Sequence, residues 1–337
     1  MGNADAPFYD ELSALLAAVS RSFFLSIKCL PAGVRAPVGL AYLLARASDT
    51  IADSAEAPAP LRLKCLAAFR EMIGRGATEG GIQFVRSAIV PEDAAERELI
   101  AKIPRCLEWL AALDGRDRSD VVEVLGKIIR GQELDVERFA DRSTINALQN
   151  ETELDEYTYL VAGCVGEFWT GICFRHVKNF ARLDAGRMRA LGANFGKGLQ
   201  LVNILRDMPA DLRAGRCYLP ADELARAGVT PQGIADSPQQ CRAVFDRWLA
   251  QAGAHMDDAF RYIEAVGNRR VRFACVLPWY LGMRTLALMR AKPPLETPGR
   301  VKVTRREVRA LLLFAPLAAC SDTALRAVRR HLSRCRN

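Results

Sequence analysis

Two pairs of aspartates recur in this chain at helical spacing: Asp49 with Asp53 in ARASDTIADS, and Asp207 with Asp211 in NILRDMPADLRAGR. Residues four apart share one face of a helix, so each pair presents two carboxylates side by side. Like charges at that spacing cost an isolated helix roughly 0.2–0.5 kcal/mol. Hard divalent cations take oxygen ligands, and Mg²⁺ is commonly held by one or two carboxylates together with substrate phosphates. Asn203, four residues before Asp207, extends the second stripe to an amide and two carboxylates, about 12 Å long at helical rise. Gln200 lies on the adjoining turn. A solvated helix face is the ordinary fate of one such pair. Two pairs, each beside an arginine, point instead to Mg²⁺ held against a phosphorylated substrate.

A phosphorylated ligand also needs cations from the protein. Arg46 lies three residues before Asp49, Arg206 immediately precedes Asp207, and Arg213 and Arg216 follow Asp211. Guanidinium groups grip phosphate with two parallel hydrogen bonds. Near the start of the chain, Ser20, Arg21 and Ser22 offer two hydroxyls and a further guanidinium.

These groups must be positioned by helices. The 337 residues are 50% hydrophobic, rich in Ala, Leu and Arg, and apolar residues recur with helical period almost throughout. The periodicity predicts helices over 8–28, 34–53, 61–73, 96–113, 120–139, 153–179, 185–211, 238–266 and 269–291. It predicts two more, capped by Thr304 with Glu307 and opened at Ser321-Asp322. Thr152 with Asp155 has the spacing of a capping box. The glycine-rich GRGATEGG lacks a following GK[ST] and is expected to be a surface connection. Glycines over 192–198 would let two backbones approach closely. Pro209 removes a backbone donor and is expected to kink its helix between Asp207 and Asp211. No alternating strand pattern of useful length occurs. The expected architecture is a single all-α domain over 1–337, with no repeat and no linker.

Composition narrows the partners. The net charge of +8 suits a polyanionic substrate, anionic lipid or nucleic acid. The basic residues are spread without a long run, which argues against nucleic acid. Ten cysteines form no CxxC, and three separated histidines have no metal-ligand spacing; a reduced protein without a zinc site is expected. The opening MGNADAPFYDELSALLAAVS is acidic and unlike a secretory signal. The apolar run 310–320 is too short to span a bilayer, which needs about 20 residues. A cytoplasmic protein is expected, at most peripheral to the inner membrane; its basic surface and apolar late helices permit such contact.

At this point the residues carry a resemblance. SRSFFLSIKCLPAGVRAPVGLAYLLARASDTIADS resembles the start of the squalene/phytoene synthase family. YTYLVAGCVGEFW resembles its central motif, and GLQLVNILRDMPADLRAGRCYLP its second acidic signature. The resemblance implies an isoprenoid-synthase-like bundle around a central apolar cavity. It implies head-to-head condensation of two allylic diphosphates. It makes Asp49, Asp53, Asp207 and Asp211 the Mg²⁺–diphosphate carboxylates, with Asn203 in the metal site. It assigns Ser20, Arg21, Ser22, Tyr42, Arg46, Gln200, Arg206 and Arg216 to the diphosphates, and Tyr157 to proton transfer around the leaving diphosphate. Phe23, Phe24, Leu43, Val161 and Phe168 would line the cavity, whereas Tyr159 is assigned to the core. Ser54 and Ala210 stand where many relatives carry acids.

Squalene formation further needs hydride from NADPH. The basic tract RVKVTRRE resembles the position of a segment near the reductant in squalene-forming relatives, which would make Arg300, Lys302 and Arg305 cofactor contacts; a solvated helix start is the plainer reading of the same residues. The expected activity is farnesyl-diphosphate farnesyltransfer, as in a bacterial-type squalene synthase. A phytoene or dehydrosqualene synthase, which needs no reductant, is the alternative within the family. A non-catalytic basic protein that binds lipid or RNA is the alternative outside it.

Overall fold

The computed structural model describes residues 6–20, 23–141, 143–297 and 299–334. Arg21 and Ser22 lie outside the described residues, as does the Phe23 side chain. Helix dominates, as the periodicity predicts, and two short strands form the single sheet among the described residues. The chain divides into two compact units: Met1–Glu137 with Gly171–Lys178, and Arg138–Thr170 with Asn179–Asn337.

The first unit contains α1 (Ala6–Val19), α2 (Phe23–Cys29), α3 (Ala32–Asp53), α4 (Ala59–Arg75), α5 (Glu79–Ala88), α6 (Ala94–Ala101), α7 (Ile103–Ala112) and nearly all of α8 (Gly115–Arg138). Helix α3 is its centre. Leu40, Leu43, Leu44, Ala47 and Ile51 form a fully buried stripe, so Tyr42, Arg46, Asp49 and Asp53 fall on the less buried side. The helix ends at Ser54, and the buried Arg62 of α4 donates to the Ala52 carbonyl at 2.5 Å. That satisfies one of the last carbonyls and places a cation at the negative helix end, beside the acidic pair.

The second unit contains β1 (Asn146–Ala147), α9 (Glu151–Thr158), a π-helical turn over Tyr159–Gly163, the first part of α10 (Cys164–His176), and α11 (Ala185–Arg213). It continues with β2 (Arg216–Cys217), α12 (Ala221–Arg226), a 3₁₀ turn over Pro231–Gly233, α13 (Pro238–Ala265), α14 (Arg269–Ala291), α15 (Arg305–Cys320) and α16 (Asp322–Arg334). Helix α11 packs on α13 and on the π-helical turn. The expected close approach is real: a Cβ on Gly166 would lie 1.9 Å from the Gly192 carbonyl oxygen, and one on Gly196 would lie 2.1 Å from that of Ala162. After α11, Gly215 adopts φ +80°, a conformation costly for a residue with a side chain. It turns the chain into β2, which pairs in parallel with β1.

Several local expectations need correction. The 8–28 helix is broken after Val19, and the 96–113 helix is broken at Lys102, where Pro104 sits in the first turn of α7. The glycine-rich stretch is partly helical: Thr78 accepts from the Gly81 N–H and starts α5. The α9 cap is Asn150, which accepts from Glu153 N–H, rather than Thr152. Glu153 in turn accepts from the Gln149 N–H. Pro209 lies inside α11, which stays helical on both sides of it, as a kinked helix does. The capping box at Thr304 and Glu307 forms as predicted. No described helix is long and apolar enough to cross a membrane.

Candidate active site

In the first unit, α3 sets Tyr42, Arg46, Asp49 and Asp53 along one stripe. The buried Ser20 hydroxyl hydrogen-bonds the Tyr42 phenol. Burial pushes that phenol above its usual range, and the bond to Ser20 opposes the shift. Arg46 Nη1 lies 4.0 Å from Asp49 Oδ2, while its Nη2 is engaged by Glu96 of α6. Asp49 receives a short hydrogen bond from the Gln132 amide of α8. About half of the Asp49 side-chain surface (47%) faces solvent, yet dense packing on its other side removes hydration. That loss, followed by the charge of Asp53, pushes its carboxyl up to about 7, against the pull of Arg46 and Gln132. One group of predicted residues is therefore physically coupled: Ser20, Tyr42, Arg46, Asp49 and Asp53.

In the second unit, two guanidiniums clamp Asp207. Arg206 donates to Oδ1 at 3.0 Å and to Oδ2 at 2.5 Å; Arg300 donates to the same two oxygens, both at 2.9 Å. Burial works to raise the Asp207 pKa, but the hydrogen bonds from Arg206 and Arg300 outweigh it and hold the carboxyl below its usual value. One turn on, Asp211 accepts from Arg216 at 3.0 Å. Asn203 is exposed and Gln200 half-buried on the same helix.

The pairing of β2 with β1 places Arg216 and, just beyond it, Tyr218. The Tyr218 ring stacks on Tyr157 at 5.1 Å and meets the edge of Phe139 at 5.3 Å. Tyr157 is buried, and the π-helical turn begins two residues later. Single π-helical turns recur at functional sites because they re-aim side chains within a helix. Leu43 and Phe168 are buried, Phe24 and Val161 half-buried. Tyr159, assigned above to the core, is half-buried with its hydroxyl on Glu167 at 2.8 Å.

The donor chemistry fits Mg²⁺ shared with phosphate. Among the described residues, no group of three or more His, Cys, Asp or Glu could hold a metal by itself. Mg²⁺ does not require one, since one or two carboxylates with substrate oxygens suffice. The coupled Asp49–Asp53 pair supplies that number in α3, and Asp207 with Asp211 supplies it in α11.

Two partners in the site are not apparent from local spacing. Gln132 and Glu96 reach Asp49 and Arg46 from other helices, and neither sits in a recognisable motif. The three cofactor candidates separate: Arg300 lies on Asp207, while Lys302 and Arg305 are exposed, with no ion-pair partner among the described residues.

Relatives share this sequence. A presqualene diphosphate synthase of Sinorhizobium fredii is 29% identical over 304 residues, covering 88% of this chain and 92% of that protein. One of Zymomonas mobilis is 30% identical over 220 residues, covering 65% of this chain. The chain spans less than two thirds of several curated relatives: 63% of the Zymomonas protein, and 40% of a bifunctional lycopene cyclase/phytoene synthase of Phaeosphaeria nodorum. A ligand complex of TcSQS shares the fold, with TM-score 0.78 at 20% identity over 97% of this chain and 92% of that one. Squalene synthase HpnC from Alicyclobacillus acidocaldarius does so with TM-score 0.59 at 22% identity, over 84% of this chain and 93% of that one. The Squalene/phytoene synthase family model matches residues 16–307, a span that holds both acidic helices and the π-helical turn, and the chain belongs to that family.

Proposed function

We propose that the protein condenses two molecules of farnesyl diphosphate head to head, through presqualene diphosphate to squalene, using Mg²⁺ and NADPH. The observation that carries this reading is the coupled Asp49–Asp53 pair, held beside Arg46 and Tyr42. A carboxyl that burial, and then the charge of Asp53, push up to about 7 favours a cation beside it. The presqualene diphosphate synthases among its relatives support the substrate class.

Asp49 and Asp53, and separately Asn203, Asp207 and Asp211, would hold Mg²⁺, which when bound offsets the charge on the departing diphosphate. Arg46, Arg206 and Arg216 bind diphosphate oxygens. Ser20 and Gln200, with Arg21, Ser22 and Tyr42, complete the diphosphate contacts. As the allylic C–O bond breaks, these fixed cations stabilise the leaving group without reorganising. The Tyr157 hydroxyl shuttles a proton beside the leaving diphosphate. Apolar side chains such as Leu43 and Phe168 keep water from the carbocations. NADPH would supply the hydride of the final reduction, with Lys302 and Arg305 as its contacts. The relation to fungal phytoene synthases keeps a second reading, condensation without reduction.

Incubation with farnesyl diphosphate and Mg²⁺, with and without NADPH, tests the proposal. Squalene formed only with NADPH is expected. Dehydrosqualene formed despite NADPH, or turnover of geranylgeranyl diphosphate alone, supports the second reading. Absence of diphosphate release sinks both.

A further inference from the structure

Helix α15 has a buried face and an unusual outer one. Leu311, Ala315, Ala318 and Ala319 are buried, and the helix packs on α14 and α16. On the outer face, Leu313 is 75% exposed, Phe314 59% and Leu317 60%. These are three of the four most exposed large apolar side chains among the described residues. Scattered single apolar residues on a surface are ordinary; three on adjoining turns of one helix form a patch that needs a reason.

The charges beside the patch identify its partner. Lys302 just before α15, and Arg305, Arg306 and Arg309 along its first turns, lead into the apolar stretch, all four exposed. None of them has an ion-pair partner among the described residues, whereas many other arginines do, such as Arg284 with Glu307 and Arg326 with Glu264. Unpaired cations leading into exposed Leu and Phe are the makeup of an interfacial helix. The cations meet anionic headgroups while the apolar side chains enter the acyl boundary. A second copy of this chain would meet the same cations with its own, a repulsive match.

We propose that the outer face of α15, through Arg306, Arg309, Leu313, Phe314 and Leu317, docks this protein on a bilayer surface containing anionic phospholipid. The inference stands on exposure and charge alone, independent of the reaction proposed above. The consequence for that reaction is direct: a hydrocarbon product insoluble in water would be released at the surface that dissolves it.

Co-sedimentation with vesicles tests it. The full chain is mixed with vesicles of pure phosphatidylcholine, or of three parts phosphatidylcholine to one part phosphatidylglycerol, at low and high salt. Binding to the mixed vesicles that weakens with salt is expected. The variant Leu313→Ser/Phe314→Ser/Leu317→Ser should bind at least about tenfold more weakly. Arg306→Glu/Arg309→Glu should lose roughly 30-fold or more. Lys302 and Arg305 stay intact, because the reductant reading places them in the binding machinery. Both variants should keep the helical circular dichroism of the parent and its release of diphosphate from farnesyl diphosphate in solution. Equal binding to the two vesicle types, or unchanged binding by both variants, overturns the proposal. So does a concentration-dependent dimer without vesicles that the apolar variant abolishes, which assigns the patch to a second copy.

Discussion

The Gln132 side chain, buried in α8, gives its amide proton to Asp49 of α3 and leaves its own carbonyl oxygen buried without a hydrogen-bond partner. An orphaned acceptor normally costs stability. Under the proposed Mg²⁺ reading, Gln132 would be a positioning residue that fixes the Asp49 carboxylate.

Gln132→Leu therefore separates stability from function. Removing the orphaned oxygen should leave the melting temperature unchanged or higher. Losing the contact to Asp49 should weaken Mn²⁺ binding, read by electron paramagnetic resonance, by about 10–100-fold. Parallel losses of stability and metal affinity would reduce Gln132 to a packing role.

The Asp49 carboxyl makes stability depend on pH. Its folded value of about 7 lies above its unfolded value of 3.8. Between those values the folded chain keeps a proton that the unfolded chain has released. Without divalent metal, stability should fall as pH rises through this window and level off above about 7. Asp49→Asn should flatten that slope in thermal melts; an unaltered slope would show that Asp49 is not its source.

Arg300 tests whether the basic tract serves diphosphate or reductant. Arg300→Ala should cost no more than about 1 kcal/mol of stability, because the guanidinium is largely solvated. If its contact with Asp207 matters for diphosphate, KM for farnesyl diphosphate rises while KM for NADPH holds. The reverse pattern would make Arg300 a reductant contact.

The close approach of α10 to α11 rests on two glycines, Gly166 and Gly192. Gly166→Ala would push a methyl into the Gly192 carbonyl and should destabilise the chain by about 3 kcal/mol. Gly74→Ala, where nothing lies within 4 Å of the new Cβ, should gain about 0.5 kcal/mol. Urea midpoints measure both, and equal midpoints for the two variants would refute the close approach.

Much was legible from the amino-acid order alone because it is local. Helical period, the i, i+4 aspartates, the Thr304 capping box and the glycines over 192–198 each depend on a few consecutive residues, whose backbone geometry is regular. Family motifs add specificity because their residues also lie close in sequence. Thr152 failed where several polar residues compete to cap one helix: Asn150 caps α9 two residues earlier, with Gln149 N–H donating to Glu153.

What tertiary structure decided are the partners far away in sequence. Gln132 meets Asp49 across 83 residues and Arg300 meets Asp207 across 93. Tyr218 finds Tyr157 because β2 pairs with β1, and two residues of strand on each side leave no readable pattern. Which face of α15 remains open likewise depends on α14 and α16 covering the other. The sequence alone determined that the carboxylates stand in rows; packing between distant segments decided which cation, amide or ring answers each one, because that choice depends on the whole arrangement of helices within a unit.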